Sequence, residues 1–239
     1  MTRVAFIAAM RSELWPLVKG WRSVGRPDGT SVYETEVGEE GWIAVAGGMG
    51  IAGATRSFSI VNQGGKPDLI VNLGLAGSLV SDIDPPSLLT VGQIADTRTG
   101  ERFNLASGDR KLLILTTGQV AGRAEKQRLA ESYRGAVAVE MEAATVARLA
   151  QANGIPMACL KAISDAADDD IPDMNPFIDA EGRFQTGRYT LRIAVRPHRW
   201  RQMVRLGENS KRASRELARA AARLLADWRN GMPVANVPE

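Results

Sequence analysis

The sequence predicts a three-layer α/β/α domain built on a central mixed, largely parallel sheet. Three observations predict it. Short runs rich in Val, Ile and Leu recur along the chain, stretches of helical periodicity lie between several of them, and 44% of the 239 residues are hydrophobic, enough for one sizeable core.

Taken in order, the apolar runs at 4–8, 42–46, 69–73, 88–94, 112–116, 136–139 and 157–163 read as buried strands. Helical spacing over 12–21, 51–63, 124–133 and 142–152 fills the gaps, and Gly154 with Pro156 stops the last of these helices. From Asp168 the pattern gives way to an acidic turn, Asp168-Asp169-Asp170, and a Pro-containing loop to about Arg188. Two helices are expected beyond it, at 198–206 and 210–228. We expect a single domain over 1–230, with a basic helical C-terminal region from about residue 183 and a disordered tail at 231–239.

The formal charge of +3 is unevenly spread: residues 183–229 hold thirteen Lys or Arg against three Asp or Glu, so the rest of the chain is acidic. The one cysteine, Cys159, lies in an apolar run and reads as a small buried hydrophobe, which argues against a disulfide framework. No Cys/His spacing suits zinc, and the one histidine, His198, stands among arginines, so neither a metal site nor a Ser-His-Asp triad is expected. The apolar start of the chain is interrupted at Arg11, Ser12 and Glu13, short of a signal or membrane span, and a cytoplasmic protein is expected.

In open α/β sheets the site lies beyond the carboxyl ends of the strands. Here those ends carry Met10 and Glu13, Gly47-Gly48-Met49-Gly50, Gly74-Leu75-Ala76-Gly77, Glu140-Met141-Glu142 and Ser164-Asp165, which brings four carboxylates and two glycine loops to one edge. Gly48 to Gly53 fits a GxGxxG dinucleotide pattern, but the next strand ends in Gly74 rather than in the acid that would hold a ribose. A tight turn with close helix packing is the simpler account, and such a turn also offers backbone N–H groups to an anion. Glu142 alone would read as a helix-start acid and Glu13 as an ordinary first-turn acid. Two Glu around a Met at a strand-to-helix junction, with an Asp ending a neighbouring strand, are a sharper signal.

In the order and spacing of Ile7-Ala8-Ala9-Met10 with Glu13, Gly47-Gly48-Met49-Gly50, Asn72 to Gly77, Val139-Glu140-Met141-Glu142-Ala143 and Ile163-Ser164-Asp165, the chain resembles the nucleoside phosphorylase and nucleosidase superfamily. The resemblance covers about residues 3–168, and within the superfamily it points to the 5'-methylthioadenosine/S-adenosylhomocysteine nucleosidases. The overall layout, with a shortened middle and a long basic C-terminus, is similar to the phosphorylases associated with hopanoid biosynthesis.

The resemblance implies cleavage of the N-glycosidic bond of an adenosine-type purine nucleoside. Such a reaction asks for a proton on the departing base, stabilisation of the ribosyl cation and a nucleophile. It implies Asp165 as the general acid, positioned by Ser164, with a pKa raised by burial beside other carboxylates. Glu142 would hold the ribose hydroxyls, Met141 would pack beneath the sugar, Glu140 would support the loop, and Glu13 would orient a water. Gly74 and Leu75 would border the substrate, and Gln119 and Val120 would lie near the purine.

Water and phosphate remain alternative nucleophiles. Asn72 and Leu75 replace the Arg and hydroxyl residue that phosphorylases use, which favours hydrolysis, whereas nucleosidases carry Ser at Leu75 and acids at Arg11 and Ser12. An anion site at Gly48 and Gly50, or a phosphate held by Arg11 or Arg98, would restore phosphorolysis, and the layout tilts the expectation toward inorganic phosphate as co-substrate and an adenosylhopane-type nucleoside. No other cofactor is expected. A non-catalytic nucleoside-binding relative and an NAD-dependent oxidoreductase are the competing classes, the first disfavoured by the retention of Asp165, Glu142 and Glu13. The superfamily's habits imply a homo-oligomer. The basic C-terminal region, with Trp200 and Val204 among arginines, suggests peripheral contact with an anionic membrane, or else a helix packed on the domain with its arginines solvated; nucleic-acid binding is not expected.

Overall fold

Strand pairing explains how the site is assembled. The computed structural model describes residues 2–229, and the tail expected at 231–239 lies outside them. Its strands are β1 (Arg3–Ala8), β2 (Arg22–Val24), β3 (Ser31–Val37), β4 (Glu40–Ala46), β5 (Leu69–Ser78), β6 (Leu88–Asp96), β7 (Arg102–Asn104), β8 (Asp109–Thr116), β9 (Ala136–Glu140) and β10 (Met157–Asp165). They form one mixed sheet in the order β10-β6-β8-β9-β5-β1-β4-β3-β2, with β7 paired to β6.

The first half of β5 pairs in parallel with β1 on one side, β10 pairs in parallel with β5 on the other side from Ile70 to Gly77, and the far end of β5, at Gly77 and Ser78, pairs antiparallel with β9. Because β10 also pairs with β6, the strands β5, β10, β6, β8 and β9 close on themselves, and β1, β4, β3 and β2 extend from that ring as an open wing. The carboxyl ends of β1, β5, β9 and β10 therefore meet at one rim.

Helices α2 (Gly50–Gln63) and α4 (Ala143–Ala152) cover one face, where Phe58, Val61 and Val146 are buried against Ile7, Ile70 and Ile114. Helices α1 (Arg11–Val18) and α6 (Trp200–Arg229) cover the other, with Leu14, Leu217 and Leu224 packed on Phe6, Val71 and Leu160. Helix α3 (Arg123–Ser132) closes the ring side through Leu129, and α5 (Thr186–Ala194) precedes α6 at the surface. Burial of these side chains at about 25 cal/mol per Å² of apolar area is the main stabilising term. Among the described residues no helix is long and apolar enough to cross a membrane.

Three departures from the sequence expectation have physical reasons. Gly74 to Gly77, read as a loop, continue β5 to Ser78, because their missing side chains make room for buried lysines described below. The two expected C-terminal helices are one, α6, which passes through Gly207; that glycine costs about 1 kcal/mol in a helix interior, and the packed stripe Ala213 to Leu225 offsets it. Strands β2, β3 and β7 and helix α5 were absent from the reading: β2 and β7 are three residues long, β3 carries Glu34-Thr35-Glu36, and α5 buries only Tyr189.

Candidate active site

Glu13 sits in the first turn of α1, just beyond β1. Its Oε2 accepts the N–H groups of Ala9 (3.0 Å) and Met10 (2.7 Å), and its Oε1 accepts that of Leu75 (3.0 Å), so one carboxylate joins the end of β1 to β5. Burial pushes its pKa up from the ordinary carboxylate value, against the pull of those three N–H groups. The helix-start role and a cavity-facing role coincide in this residue, since Glu13 also borders the cavity.

Glu140 ends β9 and is spent on structure. It accepts from Thr116 Oγ1 (2.5 Å), from the N–H of Glu142 (3.0 Å) and from that of Ala143 (2.9 Å), which caps the start of α4. Lys161 Nζ, from the middle of β10, lies 2.8 Å from Glu140 Oε2 with both side chains 1% exposed. The two groups form an ion pair buried away from water. Burial alone would lower the lysine's pKa, but the nearby charge of Glu140 above all reverses this and raises it.

Glu142 follows at the start of α4. Its Oε1 accepts the N–H of Gly50 (2.6 Å), and no protein partner engages its other oxygen among the described residues. Burial first, then the charge of Glu140, pushes this carboxyl up to about 8. Glu13, Glu140 and Glu142 thus share one ammonium, Lys161, and the site holds Glu13 and Glu142 at the cost of raised proton affinity.

Asp165 lies at the end of β10. Ser164 Oγ donates to its Oδ1 (2.6 Å), as anticipated. Its other partner was not anticipated. Lys126, from α3, pairs with Oδ2 and also donates to the carbonyl of Ala166 (2.6 Å), with a side chain 1% exposed. The expected setting among carboxylates is therefore corrected: an ammonium is the group that touches Asp165. A Cβ on Gly77 would lie 2.8 Å from both Asp165 Oδ2 and Lys126 Cε, and one on Gly74 would lie 3.1 Å from Lys161 Nζ. Each glycine leaves the space that a lysine fills.

These groups border a cavity of about 150 Å³ that takes in Glu13, Glu140, Met141, Glu142, Ser164 and Asp165, together with Leu75, Gln119 and Val120. Gly74 is not on its wall; it lies behind, against Lys161. Met10, Met49, Ile171, Met174 and Leu206 supply an apolar remainder. The Val120 N–H donates to Asn175 Oδ1 (2.8 Å) and the Val120 carbonyl accepts from Asn175 Nδ2 (3.0 Å), a paired contact the sequence reading did not foresee.

The residues expected to hold phosphate lie elsewhere. Arg11 is exposed and stacks over the Trp15 ring, 5.1 Å from its centroid. Arg98 is engaged by buried Asp96 through Nε (3.0 Å) and Nη2 (2.8 Å). Burial would raise the Asp96 carboxyl, but hydrogen bonds from Arg98 and Arg148 draw it down to about 2. The N–H of Gly50 is taken by Glu142, and Gly48 serves packing: a Cβ on Gly53 would lie 2.0 Å from the Gly48 carbonyl oxygen. The GxGxxG segment is accounted for by helix-on-loop contact, which removes its support for a dinucleotide. Among the described residues, no cluster of three His, Cys, Asp or Glu is placed for a metal ion.

Two functional candidates, Lys126 and Lys161, were missed, and both had a signal. Lys161 interrupts an otherwise apolar buried strand, and Lys126 falls three residues before Leu129 on the buried stripe of α3.

Comparison with known proteins agrees with this geometry. The sequence model of the family described as "Phosphorylase superfamily" matches residues 110–195, which include β9, the start of α4 and β10. A 5'-methylthioadenosine/S-adenosylhomocysteine nucleosidase of Actinobacillus succinogenes is 30% identical over 171 residues, covering 57% of this chain and 73% of the relative. The chain belongs to the phosphorylase superfamily of nucleoside phosphorylases and nucleosidases. A second superfamily member, the 5'-methylthioadenosine/S-adenosylhomocysteine nucleosidase of Haemophilus ducreyi, is 23% identical over 199 residues, 70% of this chain and 86% of the relative. The fold of the superfamily extends over nearly the whole chain. A crystal structure of the Helicobacter pylori 5'-methylthioadenosine/S-adenosylhomocysteine nucleosidase with butyl-thio-DADMe-Immucillin-A superposes with a TM-score of 0.68 at 18% identity, covering 95% of this chain and 99% of that one. A futalosine hydrolase mutant of the same organism superposes with a TM-score of 0.70 at 17% identity, covering 95% of this chain and 100% of the other.

Proposed function

We propose that this protein is a nucleosidase that hydrolyses the N-glycosidic bond of an adenosine-type nucleoside. One observation carries the choice of water over phosphate: Glu13, Glu140, Glu142 and Asp165 border the cavity, and among the described residues no Lys or Arg does, Lys126 and Lys161 being paired with Asp165 and Glu140 behind its wall. A dianionic nucleophile would meet like charge there, whereas a ribosyl cation developing in the transition state would be stabilised. Phosphorolysis needs a cation facing the sugar, and Arg11 and Arg98 are occupied away from it.

In this reading Asp165, which meets Lys126 and Ser164 as a carboxylate in the free protein, takes up a proton with the nucleoside and delivers it to the base as the C–N bond breaks, while Lys126 and Ser164 position it. The second oxygen of Glu142 accepts from a ribose hydroxyl, Met141 packs against the sugar, and Glu13 orients the water that adds to the anomeric carbon and yields free ribose. The N–H and carbonyl of Val120 match the acceptor and donor on the edge of a 6-aminopurine, the pattern that Asn175 now satisfies with its carboxamide. A 6-oxopurine presents the opposite pattern, which favours adenine as the leaving base. The apolar wall at Met49, Met174 and Leu206 suits an apolar group on the 5' carbon.

Adenine release from 5'-methylthioadenosine in phosphate-free buffer tests the reading. Ribose with its 5' substituent should appear as co-product, and added phosphate should leave the rate unchanged. Turnover that depends on phosphate and yields the 1-phosphate would replace hydrolysis with phosphorolysis.

The raised carboxyl of Glu142 makes a second prediction. A protonated Glu142 is a poorer acceptor for a ribose hydroxyl and lacks the charge that stabilises the cation, so kcat/KM should climb with pH through the region near 8. Nucleoside binding below that pH should release a proton, measurable by calorimetry in two buffers of different ionisation heat. Glu142→Gln should abolish both the climb and the proton release; if either persists, another group is titrating.

A further inference from the structure

Among the described residues six large hydrophobic side chains are exposed, and four of them, Leu191, Val195, Trp200 and Val204, lie in the stretch 191–204. They are 52% to 73% exposed. Leu191 and Val195 stand four apart at the end of α5, and Trp200 and Val204 four apart at the start of α6, so each pair shares one helical face. Trp200 Nε1 donates to the carbonyl of Ile193 (3.0 Å) and ties the two helices into a corner. The inward side of α5 is already used, since Tyr189 is buried edge-on against Phe177 and Phe184. The four outward side chains have no role in the core.

The charge carried by this segment itself has one sign. Residues 183–205 contain seven arginines and no Asp or Glu. Arg199 and Arg205 reach back to Asp170 and Asp169, while Arg188, Arg196 and Arg201 form no ion pair with a described residue.

We propose that the α5–α6 corner docks on an anionic lipid surface, with Leu191, Val195, Trp200 and Val204 entering the headgroup boundary and the arginines meeting lipid phosphates. Apolar side chains rimmed by arginine, with a tryptophan at the boundary, are the composition such surfaces select. A second copy of the chain suits this face less well, because a two-fold contact would set each arginine against arginines of the other copy. Nucleic acid would leave the four apolar side chains unused. Helix α6 runs on from Val204 to Leu206 and Ser210, which border the catalytic cavity, so docking brings that wall of the cavity near the lipid.

Sedimentation of the full chain with vesicles tests this, using phosphatidylcholine alone and phosphatidylcholine with about one-third phosphatidylglycerol. The protein should partition onto the anionic vesicles and not the neutral ones, and the Trp200 emission should shift to the blue. Leu191→Ser combined with Val204→Ser should lower the partition about tenfold with the thermal midpoint unchanged, because both side chains are exposed and the Trp200 tie between the helices is kept. Trp15→Ser, at a comparably exposed tryptophan on α1, should leave the partition unaltered. No partition onto anionic vesicles would overturn the proposal. So would partition that the double variant leaves intact, which reports only diffuse attraction to a chain of pI ≈ 9.2. Concentration-dependent dimerisation abolished by the double variant would assign the face to a second copy and overturn it equally.

Discussion

Asp165→Asn should lower kcat for adenosine-type nucleosides about 10³-fold, within the range that loss of a general acid produces, while the variant still folds and binds nucleoside. An amide keeps the shape of the carboxyl: its oxygen can accept from Lys126, its NH2 can donate to Ser164 Oγ, and Lys126 also retains the Ala166 carbonyl. The amide has no proton to give to the departing base. A riboside with a 4-nitrophenolate leaving group needs little protonation, so the variant should cleave it within about tenfold of the native rate. Similar losses on both substrates would remove Asp165 from the acid role and leave it a positioning residue. Normal turnover of the nucleoside would remove it from the mechanism.

Lys161→Met should destabilise the protein by about 3–5 kcal/mol at pH 8, because it deletes one partner of a buried pair and leaves Glu140 and Glu142 without their cation. For a chain of this size that corresponds to a fall in Tm on the order of 10 °C. The direction of the pH dependence follows from the carboxyls. Glu13 and Glu142 hold protons in the folded state that the unfolded chain releases above the ordinary carboxylate value of 4.5, so their contribution is full below that value. It is lost as pH rises toward about 8, the level to which Glu142 is raised. The native protein without ligand should therefore lose stability over that window. The variant should lose more, with a penalty that is smaller at pH 5 than at pH 8. Thermal unfolding at the two pH values checks this, and a penalty independent of pH would mean that Lys161 acts by packing alone.

Much of the fold was legible because its signals are local. Seven apolar runs became strands, and four helices appeared within a few residues of their expected ends. Strand β3, whose sequence SVYETEV holds the polar run Glu34-Thr35-Glu36, offers no apolar run to read, although it pairs with β4 along its whole length. The carboxylates of the site were legible because strand ends mark the functional rim of an α/β sheet. Their counterions were legible only as lysines on buried faces and not as partners, since pairing Lys126 with Asp165 joins α3 to β10 across 39 residues and no local pattern reports which acid a lysine meets. Arg98 shows the converse: an arginine suited to phosphate was claimed by Asp96, only two residues away but buried at the end of β6.

The two glycines of β5 bear on how sequences of this kind can diverge. Gly74 and Gly77 each give up a side chain to the lysine behind them, so residues 74 and 161 form one unit of change, and 77 and 126 another. A methyl group gained at 77 would be harmless only in a lineage that had already shortened residue 126 and moved the carboxylate at 165, and a lineage that loses the lysine at 161 would relax the demand for glycine at 74. Substitutions at these positions should travel through descent in pairs, and a relative that broke one member of a pair alone would be expected to have re-housed the carboxylate as well.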